Sequence, residues 1–149
     1  MMFKHFSESL SALALLALAS TAHAGEVTVS GAWLRAVPPV SPTMAGYFEL
    51  NNDSDSAVTL NGASADFAGM AMLHGTETKA DGQRSMTHVD AVTLKPGDSV
   101  TFAPGGKHLM LMKLSAVPPS GEVRDICLTF TDHDDLCVPF QVRHNDPNR

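Results

Sequence analysis

The sequence predicts an all-β protein, a single antiparallel β-sandwich or small barrel. Three observations lead there: short alternating runs of apolar and polar residues recur along the chain, Gly, Pro, Asn and Asp separate them, and beyond the first two dozen residues no long segment carries apolar residues at helical spacing. The runs fall at 27–36, 45–51, 58–65, 71–77, 85–89, 92–94, 99–102, 109–114, 123–131 and 136–144, enough for two packed sheets.

Residues 1–24 read differently. Lys4, an apolar run over 10–19 and the small-residue triplet Ala22-His23-Ala24 form a secretory signal with cleavage expected after Ala24. The apolar run is roughly half of the ~20 residues a spanning helix needs. Residues 25–144 then make one domain, and 145–149 a short polar tail. No later stretch could span a bilayer, so the processed chain is expected to be soluble; export to the periplasm through the signal and a monomeric state are separate expectations. The net charge of −6 survives processing because Lys4 and Glu8 leave together. An acidic surface argues against nucleic acid or anionic lipid as partner.

The predicted strands are joined by recognisable turns. Pro38-Pro39, Asn51-Asn52-Asp53, Asp81-Gly82, Lys95-Pro96-Gly97-Asp98, Pro104-Gly105-Gly106, Pro118-Pro119-Ser120-Gly121 and Asp132-His133-Asp134-Asp135 supply residues that pre-set a bend or tolerate positive φ. In the last hairpin Ile126, Leu128, Phe130, Leu136, Val138, Phe140 and Val142 share the core parity, leaving Cys127 and Cys137 outward. A three-residue loop centred on Asp132 puts the two cysteines opposite each other. In an exported chain that predicts a disulfide, although a one-step slip would prevent it.

Of eight methionines and seven histidines, six and five lie beyond residue 24, and most of these crowd one third of the chain: Met70, Met72, His74, Met86, His88, His108, Met110 and Met112. Methionine commonly fills gaps in a core. In a strand over 107–113, however, Leu109 and Leu111 take one face, and His108, Met110 and Met112 the other. Burying the second row as well would leave histidine needing a partner for each ring nitrogen. An accessible edge there would instead let an imidazole and a thioether reach one metal ion. Met70, Met72 and His74 repeat the construction, and alternation alone does not say which sulfurs are ligands.

His74 is followed by Gly75, ten residues, Met86, twenty-one residues and His108-Leu109-Met110. This spacing resembles the motif of the PCuAC family of periplasmic copper chaperones: His, an optional Met, ten residues, Met, twenty-one residues, His-x-Met. All four obligatory positions match, a coincidence expected on the order of once in two thousand tries. The likeness extends through Val29-Ser30-Gly31-Ala32-Trp33-Leu34-Arg35-Ala36, Ala45-Gly46-Tyr47-Phe48-Glu49-Leu50-Asn51-Asn52, and Leu94-Lys95-Pro96-Gly97 onward to Leu111.

The resemblance implies a cupredoxin-like β-sandwich holding Cu(I) in a shallow surface site through His74, Met86, His108 and Met110, with no catalytic residue. It also implies delivery to the CuA centre of cytochrome c oxidase, so an oxidase subunit or a thiol assembly protein is the expected acceptor. A copper buffering or resistance protein without a dedicated acceptor is the alternative. Gly75 fills the optional methionine slot and carries nothing over, and the tail has only His144 where some relatives are rich in His and Met.

The remaining residues read as structural. His88 is read as an exposed loop histidine, Met44, Met70, Met72 and Met112 as packing or rim, and the Asp132–Asp135 cluster as turn chemistry. A blue-copper carrier would need a thiolate beside two histidines, and Cys127 and Cys137 lack such company.

Overall fold

The computed structural model describes residues 25–147; the signal-peptide expectation for 1–24 and the last two residues of the tail lie outside them. Ten strands run in order: β1 (Val27–Arg35), β2 (Thr43–Asn52), β3 (Val58–Ser64), β4 (Ala68–Thr78), β5 (Arg84–His88), β6 (Val92–Leu94), β7 (Ser99–Phe102), β8 (His108–Leu114), β9 (Val123–Phe130) and β10 (Leu136–Arg143). Each expected run is a strand, with ends shifted by up to three residues. Among the described residues there is no helix.

Hydrogen bonding links the strands in the order β5-β4-β8-β2-β1-β10-β9-β3-β6, with β7 paired to β2. All neighbours are antiparallel except β1 and β10, which pair in parallel at Trp33–Gln141, Leu34–Val142 and Arg35–Arg143. The sheet closes over one core: Leu73, Leu109, Leu111, Met44 and Phe48 from one half meet Leu60, Ile126, Leu128 and Phe140 from the other. Phe48 stacks on Phe102 at 4.4 Å and meets Phe140 edge-on at 5.9 Å. This is the cupredoxin-like single-domain sandwich that the alternation and the family likeness imply.

Alternation makes one face of each strand apolar, and bulges bend the strands around that face. In β1 the register against β2 shifts between Ser30 and Trp33, where Gly31 takes φ 60°. Asn52 at the end of β2 is fully buried, donating from Nδ2 to the carbonyls of Ser56 and Leu94 and accepting from Ser54. A polar group can sit there because every arm is satisfied.

The β9–β10 hairpin has the expected register. Cys127 stands opposite Cys137 and the two are disulfide-bonded on the outward face. Its loop is wider than three residues, because the ladder begins at Leu128 and Leu136. On its other edge β9 pairs with β3, from Phe130 opposite Leu60 to Cys127 opposite Ser64.

Candidate metal centre

The clustered methionines and histidines come together on a three-stranded wing, β5-β4-β8, at one end of the strand order. Residues directly opposite in an antiparallel pair project to the same face. The β4–β8 register sets Met70 opposite Met112, Met72 opposite Met110 and His74 opposite His108. The β4–β5 register adds His88 opposite His74, and Met86 opposite Thr76. Leu73, Leu109 and Leu111 occupy the other face, buried in the core. The close β4–β8 approach depends on Gly69, where a Cβ would lie 3.0 Å from that of Lys113, itself held at φ 54°.

Both central imidazoles are short of partners. His108 is only 5% exposed; its Nδ1–H donates to the Gly106 carbonyl at 3.2 Å, which leaves Nε2 with a lone pair. That Nε2 is buried with no hydrogen-bond partner, and so is Nδ1 of His74. A buried polar atom left unpaired costs about 1–3 kcal/mol, so a fold keeps one for a reason. The two rings lie 5.7 Å apart, nearly perpendicular. Burial, together with the neighbouring His108 and His88 rings, pushes the pKa of His74 below the ordinary histidine value and so favours the neutral, metal-binding form.

The four motif residues are placed unequally. His74 is the hub: His108 faces it directly, while Met110 on β8 and Met86 on β5 are its diagonal neighbours on opposite sides. Diagonal pairs have Cα atoms roughly 7–8 Å apart, within reach of a long side chain. Met110 is half-buried, whereas Met86 is 64% exposed and has to turn inward to join the others.

Two residues discounted in the sequence belong to the same surface. Met72 is half-buried, directly opposite Met110 and in the row next to His74–His108, so two cross-strand pairs form a compact His2Met2 square. His88 is not in a loop: it ends β5, with its ring 6.0 Å from that of His74. Alternation within β4 and β5 shows both parities, but only the lateral order of the strands shows the proximity. Among the described residues no three His, Cys, Asp or Glu side chains already form a metal-holding cluster. Any closed site here therefore draws on thioethers or on movement of a side chain.

Other readings hold. Met44 is core. Within the Asp132–Asp135 loop His133 Nδ1 donates to the Asp134 carbonyl at 2.7 Å, a local turn contact, whereas Asp132 Oδ1 reaches across to accept the Thr59 amide of β3. The disulfide leaves no thiolate for a blue-copper centre, and β2 and β1 stand between β10 and β8 in the sheet.

Residues 27–142 match the family model described as "Putative lipoprotein LpqE-like". The Leifsonia xyli subsp. xyli protein "Putative lipoprotein Lxx21020" is 31% identical over 117 residues, spanning 78% of this chain and 69% of that one. Among solved structures, Cu(I)-loaded DR1885 from Deinococcus radiodurans is 35% identical, with a TM-score of 0.65 and 87% of each chain covered. The copper-bound PCuAC domain from PmoF2, at 24% identity, covers 82% of this chain and 96% of that domain with a TM-score of 0.66, a likeness of fold. The chain belongs to the LpqE-like family, and its domain is of the PCuAC type.

Proposed function

We propose that this protein is a periplasmic metallochaperone that binds Cu(I) through His74, His108, Met110 and Met86 and passes it on by ligand exchange, with the CuA centre of cytochrome c oxidase as acceptor. The observation that carries the copper reading is the facing pair of buried, unpartnered imidazole nitrogens bordered by thioethers. Cu(I) is soft and closed-shell and takes imidazole and thioether donors in preference to carboxylates. A thioether has no proton to lose and forms no disulfide, so the set keeps working in an oxidising compartment. Neutral donors also hold the ion less tightly than thiolates, which suits a carrier. The Cu(I) form of DR1885, at 35% identity, supports the cargo; the acceptor rests on the likeness to the PCuAC family.

Binding starts at the preformed part of the site. Nδ1 of His74 and Nε2 of His108 take the ion, Met110 caps it from β8, and exposed Met86 swings in from β5. Exposure of Met86 makes it the first ligand an acceptor can displace. No bond within the protein is made or broken.

Copper stoichiometry and oxidation state, measured on the mature protein beside the Met86→Ala, Met110→Ala double variant, test the site. A single Cu(I) held by the wild type and released to a weaker competitor by the variant is expected. Equal affinities would remove the two methionines from the site. Mixing the loaded protein with an apo CuA domain tests the handover: failure to transfer leaves a buffering protein.

A further inference from the structure

The row of imidazoles does not stop at the motif. His74 stands between His108 on β8 and His88 on β5, with ring-centre distances of 5.7 and 6.0 Å. A metal–nitrogen bond of about 2.0 Å puts an imidazole centre about 3 Å from the ion, so two rings on one ion have centres roughly 5–6 Å apart. Each of these two pairs meets that condition, while the three rings as placed do not yet form one metal-holding group, so His88 has to move for all three to share an ion.

Each ring also has a nitrogen that no protein group occupies. His108 Nε2 and His74 Nδ1 are buried and unpartnered. Nε2 of His88 lies 3.2 Å from the Asp90 carboxylate, so in the neutral ring Nε2–H donates to Asp90 and Nδ1 carries the lone pair. A carboxylate on the far nitrogen of a histidine is the usual outer partner of a metal-bound imidazole, fixing its tautomer and raising its basicity. His88 is 48% exposed and ends an edge strand, so turning its ring is what closes the set.

We propose that His88, oriented by Asp90, joins His74 and His108 as a third imidazole, giving this wing a Cu(II)-binding mode distinct from its Cu(I) mode. The inference rests on the reading of the wing as a copper site. Cu(I) is met by thioethers at Met110 and Met86, whereas Cu(II), harder and partial to tetragonal nitrogen donors, leaves the sulfurs for the nitrogen row. His88 and Met86 sit two residues apart on one face of β5, so either can approach His74 from the same edge. Asp90 acts through His88 as a positioning residue.

The test uses the mature protein with His133 and His144 replaced by alanine, so that the remaining imidazoles are those of the wing. Cu(II) sulfate is added and the bound imidazoles are counted by pulsed electron paramagnetic resonance, with affinity read by competition against glycine. Three imidazoles are expected, falling to two in His88→Ala with roughly 10–100-fold weaker Cu(II) binding. Asp90→Asn is expected to keep three imidazoles and weaken Cu(II) about tenfold, with Asp90→Glu restoring it. Cu(I) affinity of His88→Ala, measured in parallel, is expected to stay within about threefold of the parent.

An unchanged imidazole count and affinity in His88→Ala, with its circular dichroism intact, overturns the proposal. Loss of Cu(I) and Cu(II) affinity in equal measure also overturns it, since His88 would then belong to the Cu(I) site. Failure of the parent to hold Cu(I) while it shows three imidazoles on Cu(II) sinks the Cu(I) reading and leaves this one standing.

Discussion

Sulfur faces away from the core in two places: as the thioethers of Met70, Met72, Met110 and Met112 across β4 and β8, and as Cys127 and Cys137 across β9 and β10. Both arrangements are cross-strand pairs set by register. In the hairpin the two sulfurs are joined to each other and close a loop with a sequence separation of 10. On the wing the sulfurs cannot bond to one another and stay available beside two unpartnered imidazole nitrogens. One pair uses oxidation to hold the fold, and the other group is immune to the same reaction. The disulfide and the thioether row thereby lie on different strands of one sheet, with β2 and β1 between β8 and β10.

The largest expected effect comes from His108→Leu, a replacement of similar volume. Cu(I) affinity should drop by more than about a hundredfold, beyond the usual cost of disturbing an outer partner. Stability of the metal-free protein should rise by at most about 1 kcal/mol, because the gain from removing the buried unpaired nitrogen is reduced by loss of the Nδ1–H bond to the Gly106 carbonyl. Urea unfolding beside a Cu(I) competition assay reads both, and a loss of stability would show that His108 is structural first.

Reduction of the Cys127–Cys137 bond should cost about 2–3 kcal/mol for a loop of this size. Cu(I) affinity should not move. A parallel fall in affinity would mean that the two regions are coupled, against the division drawn here.

Met110→Leu and Met86→Leu should each weaken Cu(I) roughly tenfold, or 1.4 kcal/mol, and Met72→Leu less. Met70→Leu and Met112→Leu, one row further from the histidines, should change it less than about twofold. If Met86→Leu is silent and Met72→Leu is not, the ion sits over the β4–β8 square rather than toward β5.

The gentlest effect is that of pH. The folded pKa of His74 lies below its ordinary value of 6.5, so the folded state binds fewer protons than the unfolded one as the pH falls. Its contribution to stability is therefore present above 6.5 and is lost as the pH drops through the lowered folded pKa. Cu(I) affinity should hold to a lower pH than that of a free imidazole ligand. Below that point it should weaken by at most about tenfold per pH unit for each proton displaced. A titration carried down through the lowered pKa of His74 that shows no weakening while the protein stays folded would remove histidine from the site.

Much of this was legible in the sequence, and the limit has a physical cause. Alternation reports which face a residue takes, so the ten strands, the inward row of the last hairpin and the split of Leu109 and Leu111 from His108 and Met110 were all readable. Fixed spacing grouped His74, Met86, His108 and Met110, and the strand registers bring these residues to one face of the wing. Which strands lie side by side is set by long-range pairing that alternation does not encode. Met72 therefore read as packing and His88 as a loop residue until β4 was seen between β5 and β8. The loop of the last hairpin is wider than the alternation implies, because the β9–β10 ladder begins only at Leu128 and Leu136 although β9 itself runs on to Phe130 along β3.

The position of β5 carries a consequence of its own. It is a five-residue strand at the end of the sheet, bonded on one side to β4 alone, and it bears Met86 and His88. A short terminal strand opens at a fraction of the free energy of global unfolding. Its amides should exchange with deuterium well before those of β4 and β8, and each such opening withdraws two donors at once while the rest of the barrel stays shut.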